Sequence, residues 1–565
     1  MDIFYCLQQH IYFVIKMFFK KIKFNQVHIE IPKNCFYGEF SSNISFVLAK
    51  YLYINPYIIG LRIQKKISDH QFIDQIIVKN IGFINIKLKK IFWTIFLTKL
   101  LNQKFCYPIL KKQSQKLNIE FVSANPTGPL HVGHVKSAVI GDSLANIYKK
   151  FGFEVVREYY INDVGNQIDL LLKSLWIRYN QIFCKEVNLK QDFYPGKYLI
   201  NIAKNLFKIY GNNLNFKNDK NIIRNFVIHN VMIVIKLDLN NLNIKHDIFF
   251  SEQSMIERRI IEKSISLLNN KKFIYKGALS LPRYQDFKNI VTVKKNQILF
   301  CTHDIEDDKD RVLIKDNGQY TYFAFDIGYH KNKIDRGFDS MLVLLGADHI
   351  GYKKRLEGAV AVLSNVSLHV KICQLVKLIK GSKVLKMSKR SGNFLLINKI
   401  FSKIGIHSLR FSILQKSSSS VVEIDVDKVS KQDKNNHIFY IQYACIRAFS
   451  IISKLNGIKV HFSKLDIDTS ILDEELKLIQ LFTYYPKVIL SCVKTSEPHK
   501  LTYYLYEIAS MFHYLWNKGN VNYKYKFLCT DNMQILKTRI ALVEAVIYTL
   551  TSGLNLLGIK VVDII

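Results

Sequence analysis

The chain has 565 residues, of which 49% are hydrophobic and 22% charged. That composition excludes a mainly disordered protein, and the 24 Gly and 9 Pro exclude a collagen-like or low-complexity one. With 81 basic against 45 acidic residues the formal charge is +36, an excess that attracts polyanions, nucleic acid first. A coding bias toward Lys, Ile and Asn accounts for part of that excess.

In chain order, residues 3–19 are apolar but interrupted by Gln8, Gln9, His10 and Lys16, which predicts an amphipathic helix rather than a membrane span. Val27 to Ile31 reads as a strand, Gly38 to Asn43 as a turn and cap before a helix from Ile44 to Leu52, and Gly82 to Ile86 as a short strand. A basic stretch, Lys111 to Lys116, reads as a linker. From Leu117 the texture changes. A buried strand to Ser123 runs into the breaker-rich loop Asn125-Pro126-Thr127-Gly128-Pro129. Ile140, Leu144, Ile147, Tyr148 and Phe151 then mark one face of a helix, and Phe153 to Tyr160 a second strand. Strand, loop, helix, strand opens a parallel α/β sheet.

Residues 168–290 read as a mostly helical, basic insertion. Arg311 to Ile314 and Met341 to Leu345 return to strands, the latter a continuous apolar run suited to a buried parallel strand. Beyond about residue 425 the periodicity is helical, with Ile441, Cys445, Ala448 and Ile452 on one face. We therefore expect three units, 1–110, 111–420 and 421–565. The fold class expected is α/β: a Rossmann-like parallel-sheet catalytic domain with helical insertions, an α+β N-terminal domain and an all-α C-terminal bundle. Nine scattered cysteines with no C-x-x-C spacing point to free thiols in a reducing cytoplasm, with no metal site.

The strongest local feature is His131-Val132-Gly133-His134, which follows the loop and opens the helix. Backbone N–H groups and the positive end of the helix dipole suit phosphate there. Gly133 lets a flat base approach the backbone. The two imidazoles can donate to phosphate oxygens. Far along the chain lies Lys386-Met387-Ser388-Lys389-Arg390, a basic loop whose lysines are mobile point charges suited to a triphosphate. Either motif alone is weak; the pair, in this order on this plan, is specific.

With both in place the chain resembles a class I aminoacyl-tRNA synthetase, with these motifs standing for the family's HIGH and KMSKS. Residues 119–130, 160–167, 307–311, 320–327 and 346–349 narrow the resemblance to arginyl-tRNA synthetase. Gly38 to Ile44 and Gly82 to Ile86 resemble its N-terminal additional domain. Phe439 to Ala444 and Phe512-His513 resemble its anticodon-binding bundle. The resemblance implies that arginine attacks ATP to give an arginyl-adenylate and that the arginyl group then passes to tRNA. It implies catalytic roles for His131, His134, Lys386 and Lys389. ATP is expected against His131, Gly133, His134, Asp348, His349, Met387, Ser388 and Lys389, with Mg2+ accompanying it.

A guanidinium is planar, always charged and carries five donors, so its pocket needs placed carboxylates. Glu120 and Asp326 are the candidates, with Tyr322 one helical turn before Asp326; the resemblance implies that Asn125 holds the α-amino or carboxylate end of the substrate. Tyr443 and Arg447 lie four apart on a terminal helix, where unstacked anticodon bases can stack on them. The expected partners are arginine-accepting tRNA and L-arginine, with no membrane, and the chain is expected to act as a monomer in the cytoplasm.

Some positions depart from the resemblance: Ile350, Phe325, Asn436-His437 and Cys445-Ile446. Another class I synthetase such as the cysteinyl enzyme would want a thiolate zinc site, which the cysteine spacing does not offer. A small nucleotidyltransferase would not need the Lys386 loop or the helical terminus. A catalytically dead RNA-binding protein would not keep both motifs intact.

Overall fold

The computed structural model describes residues 3–18, 27–32, 38–68, 70–102, 115–183, 193–278, 296–303, 305, 307, 309–381, 383–384, 403–431, 436–455, 471–528 and 531–561. The whole Lys386–Arg390 motif and most of the expected linker fall outside them.

The N-terminal unit begins with a helix at Ile3–Phe18 and builds an antiparallel sheet in the order β1-β2-β4-β3: β1 (Ile29–Glu30), β2 (Phe40–Ser42), β3 (Ile73–Val78) and β4 (Ile84–Leu88). Two helices, Ile44–Leu52 and Pro56–Ile67, separate β2 from β3. The turn expected at Gly38 to Asn43 is in part a strand: Phe40 pairs with Ile86, and the three buried residues of β2 lie inside the sheet between β1 and β4. Trp93, on the helix Lys90–Asn102, is fully buried at its centre.

The second sheet is parallel throughout, in the order β12-β11-β5-β6-β7. Its strands are β5 (Lys116–Glu120), β6 (Glu154–Ile161), β7 (Ile248–Ser251), β11 (Ser340–Gly346) and β12 (Ser367–Cys373). Between β7 and β11 lies a small antiparallel sheet of β8 (Ile274–Gly277), β9 (Gln297–Phe300) and β10 (Arg311–Ile314). The chain runs outward from β5 to β7, then returns to the other side of β5 as β11. The switch point is therefore the β5–β11 boundary, where Glu120 pairs with Val343. Open α/β sheets bind ligands at the carboxyl end of such a boundary. The helix Val132–Phe151 crosses β5 closely enough that a Cβ on Gly141 would come within 2.3 Å of the Phe121 ring.

The 168–290 insertion is less uniformly helical than its composition implies. Helices Asn166–Gln181, Tyr198–Tyr210 and Lys220–Asn241 are present, but β7 within it is the edge strand of the parallel sheet. Only four residues long, β7 is too short for its alternation to be read.

Past β12 come β13 (Val376–Lys380), β14 (Lys383–Val384) and β15 (Val422–Asp425), then the helices His437–Ser453, Asp473–Phe482, Tyr485–Thr495, His499–Val521 and Met533–Leu556. Buried polar bonds join this bundle to the rest. Arg410, with no exposed surface, donates to Asp142 (2.6 Å) and to the carbonyls of Leu242 (2.8 Å) and Leu557 (2.8 Å). Lys136, two residues past His134, donates to the carbonyls of Ser418 (2.8 Å) and Ser420 (2.5 Å), and Glu497 accepts from the N–H and hydroxyl of Ser418. On the far side, Lys487 reaches the carbonyl of Ile29 at 2.8 Å and covers the Phe4 ring. Among the described residues no single helix is long and apolar enough to cross a membrane.

Candidate active site

The loop after β5 is pinned from several sides. Tyr159 donates to the carbonyl of Ala124 (2.7 Å), Tyr198 to that of Thr127 (2.5 Å), and Asp238 accepts from the N–H of Leu130 (2.9 Å). His131 then caps the helix. Its Nδ1 accepts from the N–H of Gly133 at 3.1 Å, and Nδ1 of His134 accepts from the N–H of His131 at 3.3 Å. The rings stack at 4.0 Å between centroids. Because both Nδ1 atoms accept, each neutral ring carries its hydrogen on Nε2 and can donate from there. A side chain at 133 would meet the His131 ring at 2.9 Å, so Gly133 is needed for this stacked pair.

Beside the loop, carboxylates converge. Glu120, at the end of β5, is buried; it accepts from Lys333 Nζ at 2.7 Å and from the Ser123 hydroxyl at 3.0 Å. Asp326 lies on the helix Tyr322–Asp335 and accepts from the Tyr352 hydroxyl. Burial pushes its carboxyl up to about 7, relieved by Tyr352 and raised further by neighbouring Glu120. Glu252 follows β7 and is also buried; burial, with Asp163 and Asp326 nearby, lifts it to about 8 against the bond from Tyr160. The nearby cations have closer partners, Lys333 in Glu120, Arg336 in Glu158 (2.8 Å), and Arg224 in the Asp163 carbonyl (2.7 Å) and Gln253 (2.9 Å), so that Lys333 and Arg224 offset the rise of Asp326 and Glu252 only in part. Two acids thus share a pocket that holds too little positive charge to ionise both cheaply.

The structure brings together Glu120, Asn125, His131, Gly133, His134 and Asp326 along the carboxyl edge of the sheet. Asn125 Nδ2 donates to Gln167 at 2.8 Å. Tyr322 is 71% exposed whereas Asp326, one turn on, is half-buried; as the first residue of its helix Tyr322 points to solvent. Asp348 and His349 follow β11 as expected, but both are exposed, 3.4 Å apart. Glu120 differs from expectation, since two of its contacts are to the protein itself.

Sequence reasoning missed Glu252, Lys333 and Tyr352. Lys333 reads as a helix-surface charge, and Glu252 sits in a segment taken for a helical insertion. Tyr352 is held by Arg355, which lies 5.1 Å over its ring and shares Asp307 with Arg311. Only the repeated acidic and basic residues of Asp307 to Arg311 hinted at that support.

On the terminal bundle, Arg447 stacks 4.2 Å over the Tyr443 ring and 5.4 Å from Trp516. It donates to the Tyr443 hydroxyl (3.2 Å) and to His513 Nδ1 (2.9 Å), so His513 offers Nε2–H to the Tyr440 carbonyl (3.0 Å). Tyr443 remains 37% exposed. A flat cation thus lies against aromatic rings at the surface, chemistry of the kind on which unstacked bases can stack.

Three family matches tile the chain: Arginyl tRNA synthetase N terminal domain over residues 7–88, tRNA synthetases class I (R), catalytic domain over 96–455, and DALR anticodon binding domain over 441–565. The chain belongs to the arginyl-tRNA synthetase family. Members join arginine to tRNA for protein synthesis. Among its relatives, the arginine–tRNA ligase of Bartonella henselae is 38% identical over 95% of this chain and 94% of its own length. That of Rickettsia felis is 37% identical over 100% of both. An arginyl-tRNA synthetase structure from Campylobacter jejuni matches with a TM-score of 0.73 at 29% identity, covering 85% of this chain and all of the other.

Proposed function

We propose that the chain joins L-arginine to tRNA through an arginyl-adenylate, with the pocket between β5, β7 and the helix Tyr322–Asp335 receiving the guanidinium. The observation that carries this reading is the meeting of Asp326 and Glu252, two acids raised to about 7 and about 8, beside the His131–His134 helix cap. An always-charged guanidinium supplies the missing positive charge, and its fork of donors matches two carboxylates. Glu120 borders the same pocket, with its oxygens held by Lys333 and Ser123. Asn125 stands toward the α-amino or carboxylate end.

Arginine's carboxylate attacks the α-phosphorus of ATP, forming the mixed anhydride and releasing pyrophosphate. Nε2–H of His131 and of His134 donate to phosphate oxygens as negative charge moves onto the leaving group. Lys386 and Lys389, with Met387 and Ser388 beside them, approach the same phosphates; Lys389→Ala should lower turnover with little change in substrate affinity. Gly133, Asp348 and His349 border the nucleotide. Mg2+, bound with ATP, would supply further charge neutralisation at the phosphates. No enzyme nucleophile is needed, since orientation and charge stabilisation carry the rate. Transfer of the arginyl group to the tRNA terminus follows, with anticodon bases stacking on Tyr443 and Arg447. Unit boundaries near 110 and 420, a monomeric state and a cytoplasmic location complete the proposal.

The test is arginine-dependent exchange of pyrophosphate into ATP, run with and without tRNA and with lysine or citrulline in place of arginine. Exchange with arginine alone among the three supports the reading. Exchange with lysine at equal efficiency, or none with arginine under any condition, overturns it.

A further inference from the structure

The chain leaves β5 through two successive non-glycine residues in the left-handed region, Val122 at φ +71° and Ser123 at φ +39°. Such conformations are strained for residues with a side chain and persist only where the surroundings hold them, most often at functional sites. Something must restrain this turn, and the bonds around it trace what does.

Ser123 is gripped three ways. Its N–H donates to the Phe121 carbonyl (3.1 Å), its hydroxyl donates to Glu120 Oε1 (3.0 Å), and that hydroxyl accepts from the N–H of Tyr160 on β6 (3.1 Å). Glu120 Oε2 in turn accepts from Lys333 Nζ at 2.7 Å. Lys333 has no exposed surface and lies 4.1 Å over the Tyr329 ring. Glu158 and Asp326 also feel its charge. Burying an ammonium costs several kcal/mol unless its partners are well placed, so a lysine here is not filler. A single chain of contacts therefore runs from ammonium to carboxylate to hydroxyl to strained backbone. Beyond the turn, Asn125 meets Gln167 and the loop delivers His131 to the head of its helix.

We infer that Lys333 is a positioning residue of the active site, acting through Glu120 and Ser123 to hold the Val122–Ser123 turn that aims Asn125 and His131 at the substrates. The inference rests on the arginine-activating reading above, and it gives Glu120 a part beyond bordering the guanidinium. Lys333 acts without touching arginine or ATP. The reacting groups must be held within a fraction of an ångström, so a slackened turn costs rate rather than binding.

The test is a double-mutant cycle in the pyrophosphate exchange assay, using Lys333→Met, Lys333→Arg, Ser123→Ala and the Lys333→Met/Ser123→Ala pair. Ser123→Ala leaves no charge unpaired, so it keeps the cycle readable if Lys333→Met folds poorly. We expect Ser123→Ala to lower kcat about tenfold and Lys333→Met by on the order of a hundredfold. KM for arginine and ATP should move less than about threefold, with the double variant no slower than Lys333→Met and Lys333→Arg recovering much of the rate. Fully multiplicative losses would overturn the inference, as would a rise in arginine KM at unchanged kcat. So would an unchanged kcat in Ser123→Ala, whatever Lys333→Met does. If the unaltered chain fails to activate arginine, the functional reading falls; if it succeeds and the cycle is multiplicative, only the role of Lys333 falls.

Discussion

Under the proposed function, the carboxylate pocket at the sheet edge and the Tyr443–Arg447 stack on the terminal bundle both deal with a guanidinium, in opposite solvent. In the pocket the protein supplies acids and the substrate supplies the cation. Glu252 is buried and burial dominates the shifts of both Glu252 and Asp326. On the bundle the protein supplies the cation, Arg447, and lays it over a ring that stays partly exposed. Taking the partner away from a charge buried out of water costs about 3–5 kcal/mol. A charge at the surface is worth about one. Under the proposed function the first region therefore discriminates, and the second accepts stacking from bases of various shapes.

The largest expected effect breaks the pocket. Asp326→Asn keeps the shape and removes the charge, so KM for arginine should rise by roughly 2–5 kcal/mol equivalent while KM for ATP barely changes. Pyrophosphate exchange with each substrate varied in turn checks this. An unchanged arginine KM removes Asp326 from the pocket.

A change of pH sharpens the same contrast. Asp326, with Glu120, Lys333 and Tyr352 facing it, titrates near 7, and Glu252, with Tyr160, Asp163, Asp326 and Arg224 around it, near 8. Arginine stays charged throughout, so its binding favours the ionised acids and releases protons below those values. Affinity should climb by up to about a hundredfold per pH unit below pH 7, where both acids must give up a proton, by up to about tenfold between pH 7 and 8, and level off above about pH 8. Asp326→Asn should flatten the climb. For the empty protein the sign is reversed. A raised folded-state carboxyl binds more protons than its unfolded counterpart, so this contribution to stability is lost as pH rises from the ordinary carboxylate range through 7 to 8. Calorimetry of arginine binding in buffers of different ionisation heat, together with melting curves against pH, measures both. The stack should show no comparable dependence at these pH values, since burial lowers the His513 pKa below its ordinary value.

A smaller effect is expected on the bundle. Arg447→Ala should weaken cognate tRNA by about 0.5–2 kcal/mol, the range for a cation on an aromatic face, and leave the salt slope unaltered. Equal weakening of every tRNA with a slope shallower by about one unit would make Arg447 a phosphate contact. Smallest of all, Tyr443→Phe removes only the 3.2 Å bond from Arg447 and keeps the ring. Its cost in tRNA affinity should be about 0.5 kcal/mol or less.

Much of this protein was legible in its sequence. Motifs such as His131 to His134 declare themselves because their chemistry depends on neighbours a few residues away: a breaker-rich loop, a cap, a glycine and the helix dipole. The apolar run Met341 to Leu345 announced a central parallel strand because both its faces are covered. Periodicity in the terminal helices likewise reports which face is packed. Each of these is a local or one-dimensional pattern, and each survived folding unchanged.

Tertiary structure decided the rest. Lys333 and Glu120 are 213 positions apart, and no spacing rule links them. A lysine late in a helix reads as solvated until the strand packed against it is known. Glu252 became a pocket acid only because β7 joined the edge of the parallel sheet, and Tyr322 parted from Asp326 because its helix begins at the surface. The sequence determined which chemical groups the chain carries and in what order. Burial, which sets the energy of every one of those charges, depends on contacts between distant segments and was decided by the fold alone.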